Sequence, residues 1–311
     1  MTGDWPLHLS LRKMNMSKKI QRRELVKKML LGTTAIALAP AAALASCGSA
    51  NPQKMKGNIN HSVCYWTYNF ISVDELCQAV KEIGFAAIDL VGPKDWGTLK
   101  KHNVYSSMCN GAEISLTEGW NDKQYHSTLI KKYTDHINLV ADAGYKNLIC
   151  FSGNRKAMDD ETGLKNCTEG LKQIMSLAEK KGVMVQMELL NSKINHKDYM
   201  CDHTAWGVEL SKRLGSPNFK LLYDIYHMQI DEGDVIRTIQ DNFQYLGHYH
   251  TGGVPGRHEI DETQELYYPA IIEAIKKTGF TDYIAQEFIP TGKDNKAKIS
   301  ALKKAVQTCD V

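Results

Sequence analysis

Four residues with metal-binding side chains each follow a short apolar run in the second half of the sequence. They are Glu188, Asp224, His250 and Glu287. Carboxylate oxygens with one imidazole suit Mn²⁺ or Mg²⁺, and such a set also admits Co²⁺ or Zn²⁺. One carboxylate after an apolar run is often only a helix N-cap or a solvated loop residue. Four in succession instead predict a shared divalent metal ion, provided that the fold brings the runs together.

Short apolar runs alternate with longer amphipathic stretches from residue 60 to residue 311. This alternation predicts βαβ units and a parallel sheet. Eight such units in roughly 250 residues favour a closed (β/α)8 TIM barrel, of α/β class, over an open doubly wound sheet. No Gly-x-Gly-x-x-Gly motif follows a predicted strand, so a dinucleotide-binding fold has no support. The C-terminal ends of barrel strands meet at one mouth, which would gather the four residues there.

Turn and cap residues set the expected boundaries of these units. Ser72 with Glu75 has the spacing of a capping box, and Gly84 fits the end of the helix that follows. The predicted strands are 62–66, 85–90, 104–109 or 114–116, 147–151, 183–187, 219–223, a segment within 243–250, and 283–286. The predicted helices are 72–83, 96–101, 122–143, 162–181, 204–214, 234–239, 266–277 and 297–306.

The first 46 residues are typical of an export signal rather than of a folded domain. A basic segment at 16–23 precedes an uncharged apolar run at 29–45, which is short for a membrane-spanning helix. Leu44-Ala45-Ser46-Cys47 is similar to a bacterial lipobox, and Arg22-Arg23 loosely resembles a twin-arginine signal. We therefore expect a signal peptide at 1–46, a lipid anchor at Cys47, a flexible tether at 47–59 and one catalytic barrel at 60–311. The expected location is periplasmic, or membrane-anchored as a lipoprotein.

Charge and cysteine content give no indication of nucleic acid binding or of a disulfide framework. The net charge is +3, and the predicted signal and tether supply much of that excess. Nothing therefore indicates a nucleic acid partner. Seven scattered cysteines remain after Cys47, and none forms a Cys-x-x-Cys pair. We expect them to be buried free thiols.

Three short motifs resemble those of the hydroxypyruvate isomerase family. That family lies within the xylose isomerase-like group, which also includes the ketose 3-epimerases. The resemblance extends from about residue 60 to 290. The motifs are Glu188-Leu189-Leu190-Asn191, Asp224-Ile225-Tyr226-His227-Met228-Gln229 and Val254-Pro255-Gly256-Arg257-His258-Glu259.

The resemblance implies roles for individual residues. Glu188 and Glu287 would bind the metal and act as the proton-transfer pair, while Asp224 and His250 would complete the metal site. His227 and Arg257 would contact substrate oxygens. For these two residues the alternatives are a helix-capping histidine and a surface loop arginine.

A departure from the family motif leaves the substrate open, as does the predicted export signal, because hydroxypyruvate metabolism is expected in the cytoplasm. After the Pro-Gly-Arg-His-Glu stretch, the family usually continues Pro-Gly-Thr-Gly-Glu, whereas residues 260–265 read Ile-Asp-Glu-Thr-Gln-Glu. In the family this loop borders the substrate. Trp66, which ends the first predicted strand, could stack on a sugar ring or belong to the core.

The sequence therefore predicts a metal-dependent isomerase or epimerase that acts on a small sugar or hydroxy-ketone. One alternative keeps the barrel and the metal but makes the enzyme a lyase, dehydratase or hydrolase of oxidised sugars. Another is a non-catalytic sugar-binding lipoprotein. An endonuclease has little support, because its additional histidine ligands and basic face are lacking. Homo-oligomerisation, frequent among relatives, is left open.

Overall fold

Eight parallel strands form the framework of the protein in a computed structural model that describes residues 55–311. Their hydrogen-bonded order is β1-β8-β7-β6-β5-β4, with β2 paired to β3 in a second sheet. Parallel bridges from Cys64 to Asp89 and from Cys109 to Leu148 join the two sheets and close the barrel. The strands are β1 Asn60–Val63, β2 Ala87–Asp89, β3 Tyr105–Met108, β4 Asn147–Cys150, β5 Met184–Glu188, β6 Phe219–Asp224, β7 Leu246–Thr251 and β8 Tyr283–Gln286.

Helices connect successive strands, as the alternating sequence pattern predicted. They are α1 Val73–Ile83, α2 Trp96–Lys101, α3 His126–Ala143, α4 Asp160–Lys181, α5 Thr204–Leu214, α6 Ile225–Asp231, α7 Val235–Asn242, α8 Tyr268–Lys277 and α9 Asn295–Cys309. The (β/α)8 barrel prediction is confirmed. None of the helices within residues 55–311 is long and apolar enough to cross a membrane.

The start of α1 shows how local sequence sets an element boundary. The Ser72 hydroxyl accepts the backbone N–H of Glu75 at 3.2 Å, and the Glu75 carboxylate accepts the backbone N–H of Ser72 at 2.8 Å. Gly84 then ends the helix with a φ of 117°, a conformation that costs glycine little. The predicted capping box and helix stop are both confirmed.

The structure corrects or completes the sequence prediction at three elements. The first strand ends at Val63, so Trp66 lies in a short 3₁₀ turn rather than on the strand. The third strand is Tyr105–Met108, which decides between the two predicted segments. Helix α6 was not predicted. It begins directly after Asp224, whose side chain caps it, so no turn residue separates strand from helix.

Residues 55–59 lie against the barrel, although we had assigned them to the tether. Met55 packs beside Gly84, and Ile59 is buried. The backbone N–H of Lys56 donates to the Asp310 carboxylate at 2.9 Å. The folded part therefore includes residue 55. The predicted export signal, Cys47 and the rest of the predicted tether lie outside the described residues.

The described cysteines are all buried and free of disulfides, as predicted. They are Cys64, Cys77, Cys109, Cys150, Cys167, Cys201 and Cys309. Several of them occupy or follow strands, where a thiol fills space as a small apolar group.

Two loops at the barrel mouth meet backbone to backbone. The N–H of Trp120 donates to the carbonyl of Phe151 at 3.2 Å, and the N–H of Asn121 donates to that of Ser152 at 2.8 Å. Between them, a Cβ added to Gly119 would lie 2.3 Å from the backbone nitrogen of Gly153. Only glycine fits here, because neither backbone can move without breaking these hydrogen bonds.

We expect Gly119→Ala to lower the free energy of unfolding by about 1–3 kcal/mol, since the added methyl overpacks a backbone contact. Urea denaturation of the full chain would measure the change. The matched control is Gly97→Ala in α2, where an added Cβ meets nothing within 4 Å. The control should be neutral or slightly stabilising. Equal stability of the two variants would contradict the close approach.

Candidate metal and substrate site

The C-terminal ends of β5 to β8 bring the four predicted ligands together. Glu188 ends β5, Asp224 ends β6, His250 is the penultimate residue of β7, and Glu287 follows β8. Asp224 and His250 are direct partners in the parallel register. One ligand atom from each of the four lies within 4.8 Å of all the others. All four side chains are buried.

The imidazole of His250 lies among the three carboxylates. Its Nδ1 is 2.6 Å from Glu287 Oε2, 3.1 Å from Glu188 Oε1 and 4.0 Å from Asp224 Oδ2. Three oxygen donors and one nitrogen donor that converge in this way fit a divalent cation such as Mn²⁺, Mg²⁺, Co²⁺ or Zn²⁺.

Arg257 is a buried member of this cluster, not a surface loop residue. Its Nη2 donates to Asp224 Oδ2 at 2.7 Å and also to Glu287 Oε2. Its Nε donates to the backbone carbonyl of Glu287 at 3.1 Å. Burial alone would lower the pKa of Arg257, but the two carboxylates raise it above its ordinary value. The guanidinium therefore carries a permanent positive charge beside two predicted ligands.

His227 is held by residues from two of the family-like motifs. Its Nδ1 lies 2.6 Å from the side-chain amide nitrogen of Asn191, and its Nε2 lies 2.6 Å from Arg257 Nη1. The Asn191 side-chain oxygen accepts the backbone N–H groups of Ile194 and Asn195, which fixes the amide. Burial lowers the pKa of His227 well below its ordinary value, so the imidazole is neutral.

Trp66 is in contact with the same cluster. Its indole Nε1 donates to Glu287 Oε1 at 2.6 Å, while 42% of the residue remains exposed. Its ring centre is 5.7 Å from the guanidinium carbon of Arg257. The polar edge of Trp66 thus orients a predicted ligand, and the rest of the ring lines the open space above it.

Asp89 is a member of the cluster that we did not predict. Its Oδ1 is 3.1 Å from His250 Nε2, its Oδ2 is 2.9 Å from His248 Nε2, and it accepts the Ser107 hydroxyl at 2.7 Å. All four side chains are fully buried. The sequence did contain a signal for Asp89, because this residue ends β2 as Asp224 ends β6. We extended the predicted second strand to Leu90 because leucine is apolar, so Asp89 was not recognised as a strand end.

The environments of the buried carboxylates differ. Burial raises the pKa of Glu188 to about 7, with further repulsion from Glu287. Burial would also raise the pKa of Glu287, but Arg257 and His250 hold it well below its ordinary value. His248 and His250 do the same for Asp89. The cluster thus contains carboxylates that hold their charge and one, Glu188, that binds a proton readily.

A cavity of about 490 Å³ lies over the cluster. Glu188, Glu287, His227, Arg257 and Trp66 all line it. Its other lining residues are Leu90, Leu116, Phe151, Leu190, Asn195, His196, Gly256 and Ile289. Five of the seven predicted site residues therefore line the cavity. The other two, Asp224 and His250, are in direct contact with Arg257 and Glu287 respectively.

Comparison with known families places this geometry in context. Residues 77–305 match the model of the xylose isomerase-like TIM barrel family. A 2-oxo-tetronate isomerase of Cupriavidus necator is 34% identical over 122 residues, which cover 39% of this chain and 46% of that protein. A Xenopus laevis protein with a provisional hydroxypyruvate isomerase name is 26% identical over 142 residues, covering 46% of this chain and 51% of that protein. The chain thus spans about half the length of these curated relatives.

Other relatives are matched over more of their length. A D-psicose 3-epimerase of Ruminiclostridium cellulolyticum is 28% identical over 234 residues, covering 68% of this chain and 76% of that protein. The solved D-psicose 3-epimerase of Clostridium cellulolyticum H10 superposes with a TM-score of 0.67 at 18% identity, covering 81% and 98%. An AP endonuclease of family 2 from Brucella melitensis gives 0.66 at 24% identity, covering 78% and 97%. At these identities the superpositions show the fold alone.

Asp89 allows a test of the buried network itself. We expect Asp89→Ala to lower the free energy of unfolding by about 3–5 kcal/mol, because His248 and His250 lose their buried counter-charge. Thermal or urea unfolding of the full chain would measure this. Asp241→Ala, at an exposed carboxylate on α7, is the control and should change stability by less than about 0.5 kcal/mol. A loss no larger than the control's would mean that the network contributes nothing to stability.

Proposed function

Because this chain belongs to the xylose isomerase-like TIM barrel family, we propose that it is a divalent-metal-dependent isomerase or epimerase of a small sugar or hydroxy-ketone. One observation carries the proposal: Glu188 and Glu287 both face His250 Nδ1 at the floor of an open cavity, with Asp224 beside them. The isomerase and epimerase names of the curated relatives support the same reaction class.

The residues that would hold the metal are Glu188, Asp224, His250 and Glu287. Their donor set favours Mn²⁺ or Mg²⁺, while Co²⁺ and Zn²⁺ also fit. A bound divalent ion supplies positive charge that stabilises negative charge on substrate oxygens.

Isomerisation and epimerisation both begin with removal of a C–H proton next to a carbonyl. In the proposed reaction one of the two glutamates takes this proton. The other returns a proton to the neighbouring carbon or to the opposite face of the same carbon. General acid–base transfer of this kind contributes roughly 10²–10⁴-fold to the rate. No oxidant, reductant or organic cofactor is consumed.

The surrounding residues hold the pair in place. Trp66 and Arg257 donate to different oxygens of Glu287, which fixes the plane of its carboxylate. The neutral His227 and the charged Arg257 line the cavity and would contact substrate oxygens. Both groups are buried and held by neighbours, so a substrate meets donors that are already oriented.

We expect the full wild-type chain to contain close to one divalent ion per molecule when it is analysed by elemental mass spectrometry. Glu188→Gln and Asp224→Asn should each reduce this content strongly, because each removes a charged donor. Asp241→Asn on α7 is the control and should keep the wild-type content. A wild type that is free of metal and does not bind added Mn²⁺ or Mg²⁺ would refute metal dependence.

Catalysis and simple binding can be separated with one variant. We expect Glu188→Gln, when assayed with saturating Mn²⁺, to lose at least about 10²-fold in proton exchange while still binding the sugar. Incorporation of solvent deuterium next to the carbonyl, followed by NMR, measures the exchange for hydroxypyruvate and for ketoses. Wild-type binding of these compounds with no exchange in any of them would instead indicate a sugar-binding protein.

A further inference from the structure

The cavity over the cluster has two chemically different halves. The ends of β5 to β8 and the segments after them contribute the charged side chains, among them Glu188, Arg257 and Glu287. The same side also contributes two apolar residues, Leu190 and Ile289. The segments that follow β1 to β4 contribute an apolar arc, which consists of Trp66, Leu90, Leu116 and Phe151. A ligand whose reacting carbons face the carboxylates must direct its remote end towards this arc.

Three of the four residues of the apolar arc reach solvent, whereas Phe151 is buried and packs with the core. Trp66 is 42% exposed and Leu116 is 37% exposed, and Leu90 is half-buried. Exposed apolar side chains that cluster in a concave site generally mark a surface that binds a ligand.

Leu90 adds an independent observation. Its φ is 56°, in the left-handed region that glycine or asparagine adopts at lower cost than leucine does. A leucine in this strained conformation, on the wall of a cavity, points to a role for its apolar side chain there.

The charges of the lining residues argue against an anionic substrate. Of the described residues that line the cavity, Arg257 is the one with a permanent positive charge, and it is bonded to Asp224 and Glu287. No lysine or second arginine lines the cavity among the described residues, and burial lowers the pKa of the half-buried His196. A phosphate or carboxylate on the remote end would meet leucine and phenylalanine and would lose its hydration without a partner.

We infer that the substrate is an uncharged keto sugar that carries an apolar substituent on the end remote from its carbonyl. This inference rests on the proposed function, and it narrows the substrate class of that same site. The reaction moves one proton: a glutamate removes it from the carbon beside the ketone, the electron pair moves to the carbonyl oxygen, and a proton returns to carbon as the ketone re-forms. The apolar substituent takes no part in the bond changes and contributes binding against the arc.

The test compares three forms of each of the four D-ketohexoses: the free sugar, its 6-O-benzyl ether and its 6-phosphate. Hydroxypyruvate is included as a carboxylate substrate. Deuterium incorporation next to the carbonyl is measured with the full chain and added Mn²⁺. For the ketohexose that the enzyme accepts, we expect the benzyl ether to have a KM at least about tenfold below that of the free sugar. The 6-phosphate and hydroxypyruvate should exchange at least about tenfold less efficiently than the benzyl ether.

Variants of the arc test the assignment without touching the carboxylates. Leu90→Asn keeps a residue that tolerates the left-handed backbone, and Leu116→Asn alters an exposed position. Each should abolish the KM advantage of the benzyl ether over the free sugar, a ratio that a general loss of activity would not change. Ile194→Asn, at a 66% exposed position that does not line the cavity, is the matched control and should preserve the advantage.

The outcomes separate the two proposals. Exchange that is fastest with hydroxypyruvate or a 6-phosphate would overturn the substrate class and leave the isomerase proposal standing. Absence of exchange in every compound would overturn the isomerase proposal, and the substrate inference with it. If Leu116→Asn instead dissociates an oligomer, as measured by light scattering, and leaves the KM ratio unchanged, the arc is a subunit contact and the inference fails.

Discussion

The mutual repulsion of buried carboxylates is the constraint on which this structure depends. Glu188, Asp224 and Glu287 each place an oxygen within 4.8 Å of the other two, and all three side chains are buried. One such pair at 4 Å repels by about 4 kcal/mol at an effective dielectric constant of 20. The fold tolerates this only because Arg257 and His250 are placed among them, and a divalent ion would serve the same purpose. Gly256 and Arg257 both have left-handed φ angles in the turn that carries this buried guanidinium.

The barrel and the convergence of Glu188, Asp224, His250 and Glu287 were predictable because both depend on local pattern. The spacing of Ser72 and Glu75 predicts a helix start. A carboxylate at the end of an apolar run is brought close to the other carboxylates by the barrel fold alone. What escaped prediction depends on three-dimensional contact. Helix α6 is capped by a residue that is also a strand end, so no separate signal marks it. The bond from Trp66 to Glu287 joins residues 221 positions apart. Asp89 joins the cluster only through its contacts with His248 and His250 on β7, which the sequence does not reveal.

Family membership and activity rest on different kinds of support. The family model covers most of the described chain, whereas the curated isomerases match about half of their own length. A protein named as an endonuclease superposes nearly as well as a sugar epimerase does. A shared barrel therefore says little about the reaction, and the side chains at its mouth must carry that argument. Here they combine an acidic floor with an apolar wall, a combination that suits a sugar better than a nucleic acid backbone.

The position of residues 55–59 has a practical consequence for handling the protein. Met55 lies beside Gly84 at the end of α1, and Lys56 bonds to Asp310 near the other end of the chain. Both contacts are on the side where β1 begins, whereas the cavity opens where the strands end. Immobilisation on a sensor chip or bead through the C-terminus, where Val311 accepts a hydrogen bond from Asn58, would therefore leave the barrel mouth facing the solution.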